Sequence, residues 1–475
     1  MPNPEADPTP TDAPSRSLWR ALSEAIHGTE ADYTQVALRR AIFLLAVPMI
    51  LELLMESTFA VADIYFVGRL GASAVATVGI TETFLFLLYS VAIGLATAVT
   101  AIVARRVGEK KREEAGSAGV QAVFIALLSS LPFAAAGILF APDLLRLMGA
   151  DAWAVAHGQG YTRWMLGGCT AIMLLFVLNA VFRGAGDAAI AMRVLWLANA
   201  INLVLDPLLI FGLGPIPALG IRGAAIATTI GRGTGVLYQL WRLAKGSPHL
   251  RVAAAQLAWR GRLVLDILRT ARGGVGQMII GMTSWIFLMR ILTGVGSEAV
   301  AGATIALRIA LFTMMPAWGL SNAAATLVGQ NLGAGRPERA EAAVWKIGSY
   351  NMVFMVAVSV VYFLFNRDLV GLFSANPAVV SIGAEWLRIL SYSYFVYGWW
   401  MVSVQAFNGA GDTATPTKIN FVFFWLLQIP LSWYLAVPSG WEQSGVFWGV
   451  FFSETSVGLF TLWLFSRGGW KRARV

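Results

Sequence analysis

Apolar residues run for about 20 positions or more at a time along this chain, interrupted by glycine, proline or small clusters of charge. The runs fall at 41–67, 76–104, 117–140, 154–183, 190–212, 222–243, 265–293, 299–329, 341–365, 378–407, 417–437 and 444–466. Each is long enough to cross the hydrocarbon core of a bilayer as a helix, and none alternates strictly between polar and apolar as a barrel strand does. The pattern predicts an all-α polytopic membrane protein with twelve transmembrane helices. Ahead of the first run the chain is polar and rich in proline and acid, with no apolar core near its start, so residues 1–38 read as a cytosolic tail and not as a cleaved signal. Within it, Leu18 to Ile26 has the pattern of a short amphipathic helix on a membrane surface.

Composition sharpens the class. Of 475 residues, 57% are hydrophobic and 13% charged, against roughly 45–50% and 25% in soluble domains, which excludes a water-soluble protein. A net charge of +9 would point to nucleic acid in a soluble chain. Here about 26 of the 35 Lys and Arg fall in the two tails and the even-numbered loops, and about four (Arg69, Arg146, Arg222, Arg367) in the others. That bias predicts a multi-pass protein of the cell membrane with both termini in the cytoplasm, surrounded by lipid and with no nucleic-acid partner. Cys169 is the one cysteine, so no intrachain disulfide is expected, and His27, His157 and His249 have no zinc-site spacing, so no metal site is expected.

A direct repeat organises the chain. Gly184-Ala185-Gly186-Asp187 returns 225 positions later as Gly409-Ala410-Gly411-Asp412, Gly94-Leu95 as Gly319-Leu320, and Ala74-Val75-Ala76 as Ala299-Val300-Ala301. Each copy holds six spans, an even number, so both cross the membrane in the same sense and form two six-helix bundles related by an axis along the membrane normal. The resulting division is a tail (1–38), an N-terminal bundle (39–244), a cytoplasmic linker (245–263), a C-terminal bundle (264–467) and a cytosolic tail (468–475). Two bundles around a central cavity make a transporter arrangement and not an enzyme; a monomer suffices for it. With no GxxxxGK[ST] segment, the energy must come from an ion gradient or from the substrate's own gradient, with no cofactor beyond the coupling ion.

Ionisable residues at membrane depth are functional candidates because burial there is costly. They gather in the first half: Glu52, Glu56, Asp63, Glu82 and Asp206, against Glu385 and Glu454 in the second. Glu52, Glu56 and Asp63 are spaced by four and seven residues and share one face of span one at about 100° per residue. Pro48 lies just ahead of them and can kink or hinge that helix. Asn202 precedes Asp206 by one turn and Pro207 follows it, so an amide and a carboxylate share a face. Carboxylates that share a low-dielectric site resist ionising together, which suits uptake and release of protons at neutral pH. Simpler roles stand beside these: a helix-end carboxylate near Arg69 for Asp63, a hydrogen-bond partner at a proline break for Asp206, a solvated cavity wall for Glu52 and Glu56, and a local ion pair with Arg388 for Glu385. Gln277, Met278, Trp285, Met289 and Trp318 are candidates for an apolar substrate cavity.

The run from Pro48 through Val61-Ala62-Asp63-Ile64-Tyr65-Phe66-Val67-Gly68-Arg69-Leu70-Gly71, the segment Phe182 to Asp187, and Asn202-Leu203-Val204-Leu205-Asp206-Pro207 to Gly212 together resemble the MATE (multidrug and toxic compound extrusion) family. So do Val328 to Gly335 and Asn408 to Asp412 in the second half. The resemblance covers about residues 38–467 and is nearest to the DinF-like branch. It implies a twelve-helix antiporter exporting small organic, often cationic compounds in exchange for protons or sodium ions. It further implies a span-one carboxylate at Asp63, a hydrogen-bonded group at Tyr161, Asn179, Asn202 and Asp206, and a bend of span one at Pro48 upon protonation. Where a sodium-coupled branch carries acids on spans seven and ten, this chain has Gly281 and Tyr397, while Glu52 and Glu56 are additional. The leading expectation is a proton-coupled multidrug exporter in which Asp63 and Asp206 bind the coupling cation. The alternatives are a sodium-coupled drug antiporter and an exporter or flippase of a lipid-linked or other specific metabolite, which Arg290 and Arg308 would suit.

Overall fold

The computed structural model describes residues 18–29, 31–212 and 214–473. A short helix, Leu18–His27, precedes twelve spans. The N-terminal six are Leu38–Gly68, Ala72–Gly108, Arg112–Leu147, Ala154–Ala185, Ala188–Phe211 and Ile221–Lys245. The C-terminal six are Gly261–Val295, Ser297–Gly333, Pro337–Gly371, a tenth span broken into Pro377–Ser391 and Tyr394–Ala410, then Ala414–Ala436 and Glu442–Ser466. Ten of these are long and apolar enough to cross a bilayer on their own. The other two need their neighbours: span six carries Arg222, Arg232 and several glycines and threonines, and span ten is interrupted before Tyr394. Span one runs through Pro48 as one continuous helix, so the proline's lost hydrogen bond produces no break here.

Glycine contacts make the repeat visible as a two-fold relation. A Cβ on Gly94 of span two would strike the backbone of Val275 on span seven, and one on Gly319 of span eight would strike that of Ile50 on span one. Those two crossings are the same contact displaced by 225 positions: the first helix of each bundle leans on the second helix of the other. Nearer the chain termini, Gly108 abuts the Gln330 carbonyl and Gly333 the Arg105 carbonyl, again equivalent positions. Backbones this close leave no room for any side chain but hydrogen. Toward the opposite end, a Cβ on Gly71, Gly79, Gly281, Gly294 or Gly296 would meet nothing within 4 Å. The close backbone crossings between the bundles thus seal the end that carries both termini, and no such crossing is made by Gly79 or Gly281 toward the other, more open end.

A strap crosses the sealed end. Tyr33 is buried, its hydroxyl donates to the Gly186 carbonyl of the N-terminal bundle at 3.1 Å, and Asp32 pairs with Lys110 at 2.5 Å. From the C-terminal bundle Arg336 donates to the Thr34 carbonyl at 2.6 Å, and Arg339 donates to the Tyr33 and Val36 carbonyls. Burial works against the charge of Asp32, yet hydrogen bonds from Lys110 and Thr34 hold its carboxyl below the ordinary range. A depressed carboxyl contributes stability above its unfolded value and loses it only as pH falls through the folded one, so the strap keeps this pair at neutral pH. Removing both arginine tethers, Arg336→Ala with Arg339→Ala, is expected to raise chymotryptic cleavage after Tyr33 by roughly tenfold, because the strap then opens without the bundle. Cleavage unchanged from the native protein would mean that the tethers do not hold it.

Candidate functional site

The acids of span one, the amides of span five and a polar face of span six meet inside the N-terminal bundle in three layers. Nearest the sealed end, Glu52 is 3% exposed. It accepts a hydrogen bond from Asn179 Nδ2 at 3.2 Å and lies 3.8 Å from an Arg183 guanidinium nitrogen. Gln239 Nε2 in turn donates to Asn179 Oδ1 at 2.5 Å. One turn further along span one, Glu56 accepts from Asn199 Nδ2 at 3.3 Å and faces Arg232 at 3.6 Å. Arg232 is buried and also donates to the Tyr89 hydroxyl at 3.2 Å.

The third layer, toward the open end, is built on Asp206, which is 1% exposed. With the Asn202 amide oriented by its neighbours, its nitrogen donates to Asp206 Oδ2 at 2.6 Å while its oxygen accepts from Thr228 Oγ1 at 3.0 Å and Thr228 N at 2.9 Å. Asp206 Oδ1 is buried and has no protein partner among the described residues. Asp63 lies close enough for its charge to reach Asp206 and the buried Tyr161, and it feels Glu82 and Arg232 in turn. Arg69 is engaged elsewhere, donating to the Tyr65 hydroxyl and standing 4.7 Å over its ring, so Asp63 is not the partner of that helix-end arginine.

Charge is thus balanced in the two layers near the sealed end, Glu52 against Arg183 and Glu56 against Arg232. In the third, neither Asp63 nor Asp206 has an ion-pair partner among the described residues, while Glu82, near Asp63, has Arg308 within reach of its charge. Of the residues singled out in the sequence, Asp63, Asp206, Asn202 and Tyr161 share this outer layer. Asn179 does not: it serves Glu52, because span four runs from the open end at Tyr161 to the sealed end at Arg183.

Several partners escaped the sequence reading. Arg183, which enters the sequence reading only within the segment Phe182 to Asp187, is the counterion of Glu52. Arg232, Thr228 and Gln239 had a signal in the sequence: they repeat on span six the four- and seven-residue spacing of the acids on span one.

The equivalent volume of the C-terminal bundle is neutral and aromatic. Gln277 and Asn408, which stand 225 positions from Glu52 and Arg183, exchange hydrogen bonds at 3.1 and 3.3 Å. Trp285 packs 5.6 Å from Trp386, and with Met289 it lies against the core of that bundle. Trp318 is 36% exposed and Met278 half-buried. Glu385 accepts from Ser444 Oγ at 2.6 Å instead of pairing with Arg388, because span twelve brings the hydroxyl closer than the helix brings the guanidinium. Glu454 stands beside Tyr394 and Tyr397, whose phenols feel its charge.

The sequence model of the MatE family matches residues 48–208 and 275–434, once in each bundle. A protein of Thermotoga maritima described as a probable multidrug resistance protein NorM is 27% identical over 401 residues, covering 84% of this chain and 86% of its own length. A protein of Shewanella oneidensis described as an FAD transporter is 27% identical over 402 residues, covering 83% and 87%. A crystal structure of MATE in complex with MaL6 superposes with a TM-score of 0.86 at 22% identity, over 94% of this chain and all of that one, which establishes the shared fold.

Proposed function

The chain belongs to the MATE family of membrane transporters, and from that premise we propose that it exports small organic, mainly cationic compounds in exchange for protons, with both termini in the cytoplasm. The observation that carries the reading is the outer layer: a buried carboxylate, Asp206, with one oxygen held by Asn202 and the other without a partner, within reach of Asp63 and toward the more open end. A proton satisfies the free oxygen by turning it into a donor and cancels one charge. Protons arriving through the open side therefore weaken the field that holds a cationic substrate, so proton uptake and substrate release become one electrostatic event. The bundles then part at the strapped end and seal at the other, which carries the protons to the cytoplasm.

Efflux of ethidium from proteoliposomes under a proton gradient alone and a sodium gradient alone tests this. The proton gradient is expected to drive it and the sodium gradient to leave it at background; efflux driven by sodium alone would overturn proton coupling. A second reading rests on Arg290 and Arg308, exposed on spans seven and eight, which would suit an anionic substrate such as the one named for the Shewanella relative. Arg308 is close enough to Glu82 for the two charges to interact, which favours the cationic reading. Competition of ethidium efflux by FAD would reverse that preference.

A further inference from the structure

Two acids of the second half lie at membrane depth, and only one of them is served. Glu385 accepts from Ser444. Glu454, midway along span twelve, accepts no hydrogen bond and forms no ion pair among the described residues, and no charged side chain lies near enough to act on it. It sits deep among the helices, yet water can touch its carboxylate oxygens, so they line an internal opening of the bundle and not its lipid face. A carboxylate so placed either takes up a proton or meets a cation from outside the chain, and its neighbours decide which. The other bundle has no counterpart: 225 positions earlier stands Thr229, whose hydroxyl donates to the Ala225 carbonyl of its own helix at 2.8 Å.

Those neighbours are rings. Gly458, one turn further along span twelve, sits so close to span ten that a Cβ would stand 2.5 Å from Val396 Cγ1 and 3.6 Å from Trp400 Cβ. That crossing holds Glu454 beside the aromatic side of span ten, where its charge reaches the phenols of Tyr394 and Tyr397. From there rings continue across the bundle, Tyr394 to Tyr397 at 6.0 Å, Tyr397 to Trp400 at 4.8 Å and Trp400 to Phe424 of span eleven at 6.1 Å. Span eleven is π-helical from Phe421 to Gln428, and Ser453, next to Glu454, ties it in place by donating to the Phe423 carbonyl at 2.7 Å. A metal ion would need several oxygens at one point. A single carboxylate beside a run of rings suits a bulky cation with spread charge, which takes one ion pair and otherwise packs on aromatic surface. We propose that Glu454 and the rings beside it form a binding site in the C-terminal bundle for an aromatic organic cation, with Glu454 as its counterion.

The inference rests on the cationic reading above, and the two can fail separately. Ethidium and phenanthridine, the uncharged parent of its ring system, are titrated into the purified full-length protein by isothermal calorimetry at pH 8. Glu454→Gln should weaken ethidium by roughly tenfold or more, through loss of a partly desolvated ion pair, and leave phenanthridine within about twofold of native. Glu454→Asp keeps the charge and should retain most of the ethidium affinity. Trp400→Leu should weaken both ligands. Without ligand, Glu454→Gln should melt no lower than the native protein, because the carboxylate has no partner to lose. Ethidium bound as tightly by Glu454→Gln as by the native protein would overturn the proposal. So would an equal loss of ethidium and phenanthridine, which marks a misshapen pocket and not a missing charge, or native affinity for both ligands in Trp400→Leu. A native protein that binds no ethidium would overturn it together with the cationic reading. A native protein that binds ethidium through Glu454 yet moves it under no gradient would sink the export reading alone.

Discussion

Asp206→Asn is expected to abolish the alkalinisation or acidification that accompanies ethidium movement in proteoliposomes, while ethidium still binds. Asparagine keeps the shape of a protonated aspartate and cannot titrate, so the substitution fixes the outer layer in its neutral form. The geometry favours tolerance of the change: Asn202 already donates to Oδ2 at 2.6 Å, and an amide oxygen accepts that bond as a carboxylate oxygen does. The second polar atom of the new side chain takes the place of Oδ1, which has no partner to lose. Folding should therefore survive and coupling should not. With Asp63 still present, a residual proton signal of about a hundredth of the native one is the upper limit expected if Asp206 is the principal acceptor. Pyranine fluorescence inside the vesicles reads this directly. A native-sized proton signal in Asp206→Asn would remove Asp206 from the coupling path and leave Asp63 to carry it alone.

Spans, repeat and acids could be read from the chain because each is written in a period that physics enforces. Apolar length sets the spans, a constant offset of 225 marks the duplication, and the four- and seven-residue spacing of Glu52, Glu56 and Asp63 puts three acids on one face. What could not be read is which residue on another helix meets each acid. Asn179 was expected beside Asp63 and Asp206, yet it faces Glu52: it follows Tyr161 by 18 residues on span four, about 27 Å along a helix, so the two cannot sit at one depth. Glu385 was expected to pair with Arg388 within one helix turn, and Ser444 on another span displaced it. Local spacing names candidates within a helix; partners between helices depend on the few close crossings, such as Gly231 on Ala198, that set rotation and depth.

The layer nearest the sealed end offers the largest expected effect on stability. Arg183→Asn leaves Glu52 charged, deeply buried and without its counterion. Stranding one member of a buried ion pair typically costs about 3–5 kcal/mol, far more than an exposed pair would. The structure contains its own control. Gln277 and Asn408 occupy the equivalent positions of the other bundle, hydrogen-bonded to each other, with Gln277 also donating to the Thr413 carbonyl at 3.1 Å. Converting the N-terminal pair to the same neutral pair, Glu52→Gln with Arg183→Asn, removes both desolvated charges and supplies a geometry the fold already uses 225 positions away. The double variant should recover most of what the single one loses, and the melting temperature in detergent should show a large drop followed by near-complete rescue. Proton-coupled efflux should survive in the double variant, since the balanced inner pair is separate from the unpaired acids of the outer layer. If the double variant melts as low as Arg183→Asn, the charges are needed for more than mutual neutralisation. If it melts normally but no longer couples, Glu52 belongs to the proton path and the layers are not independent.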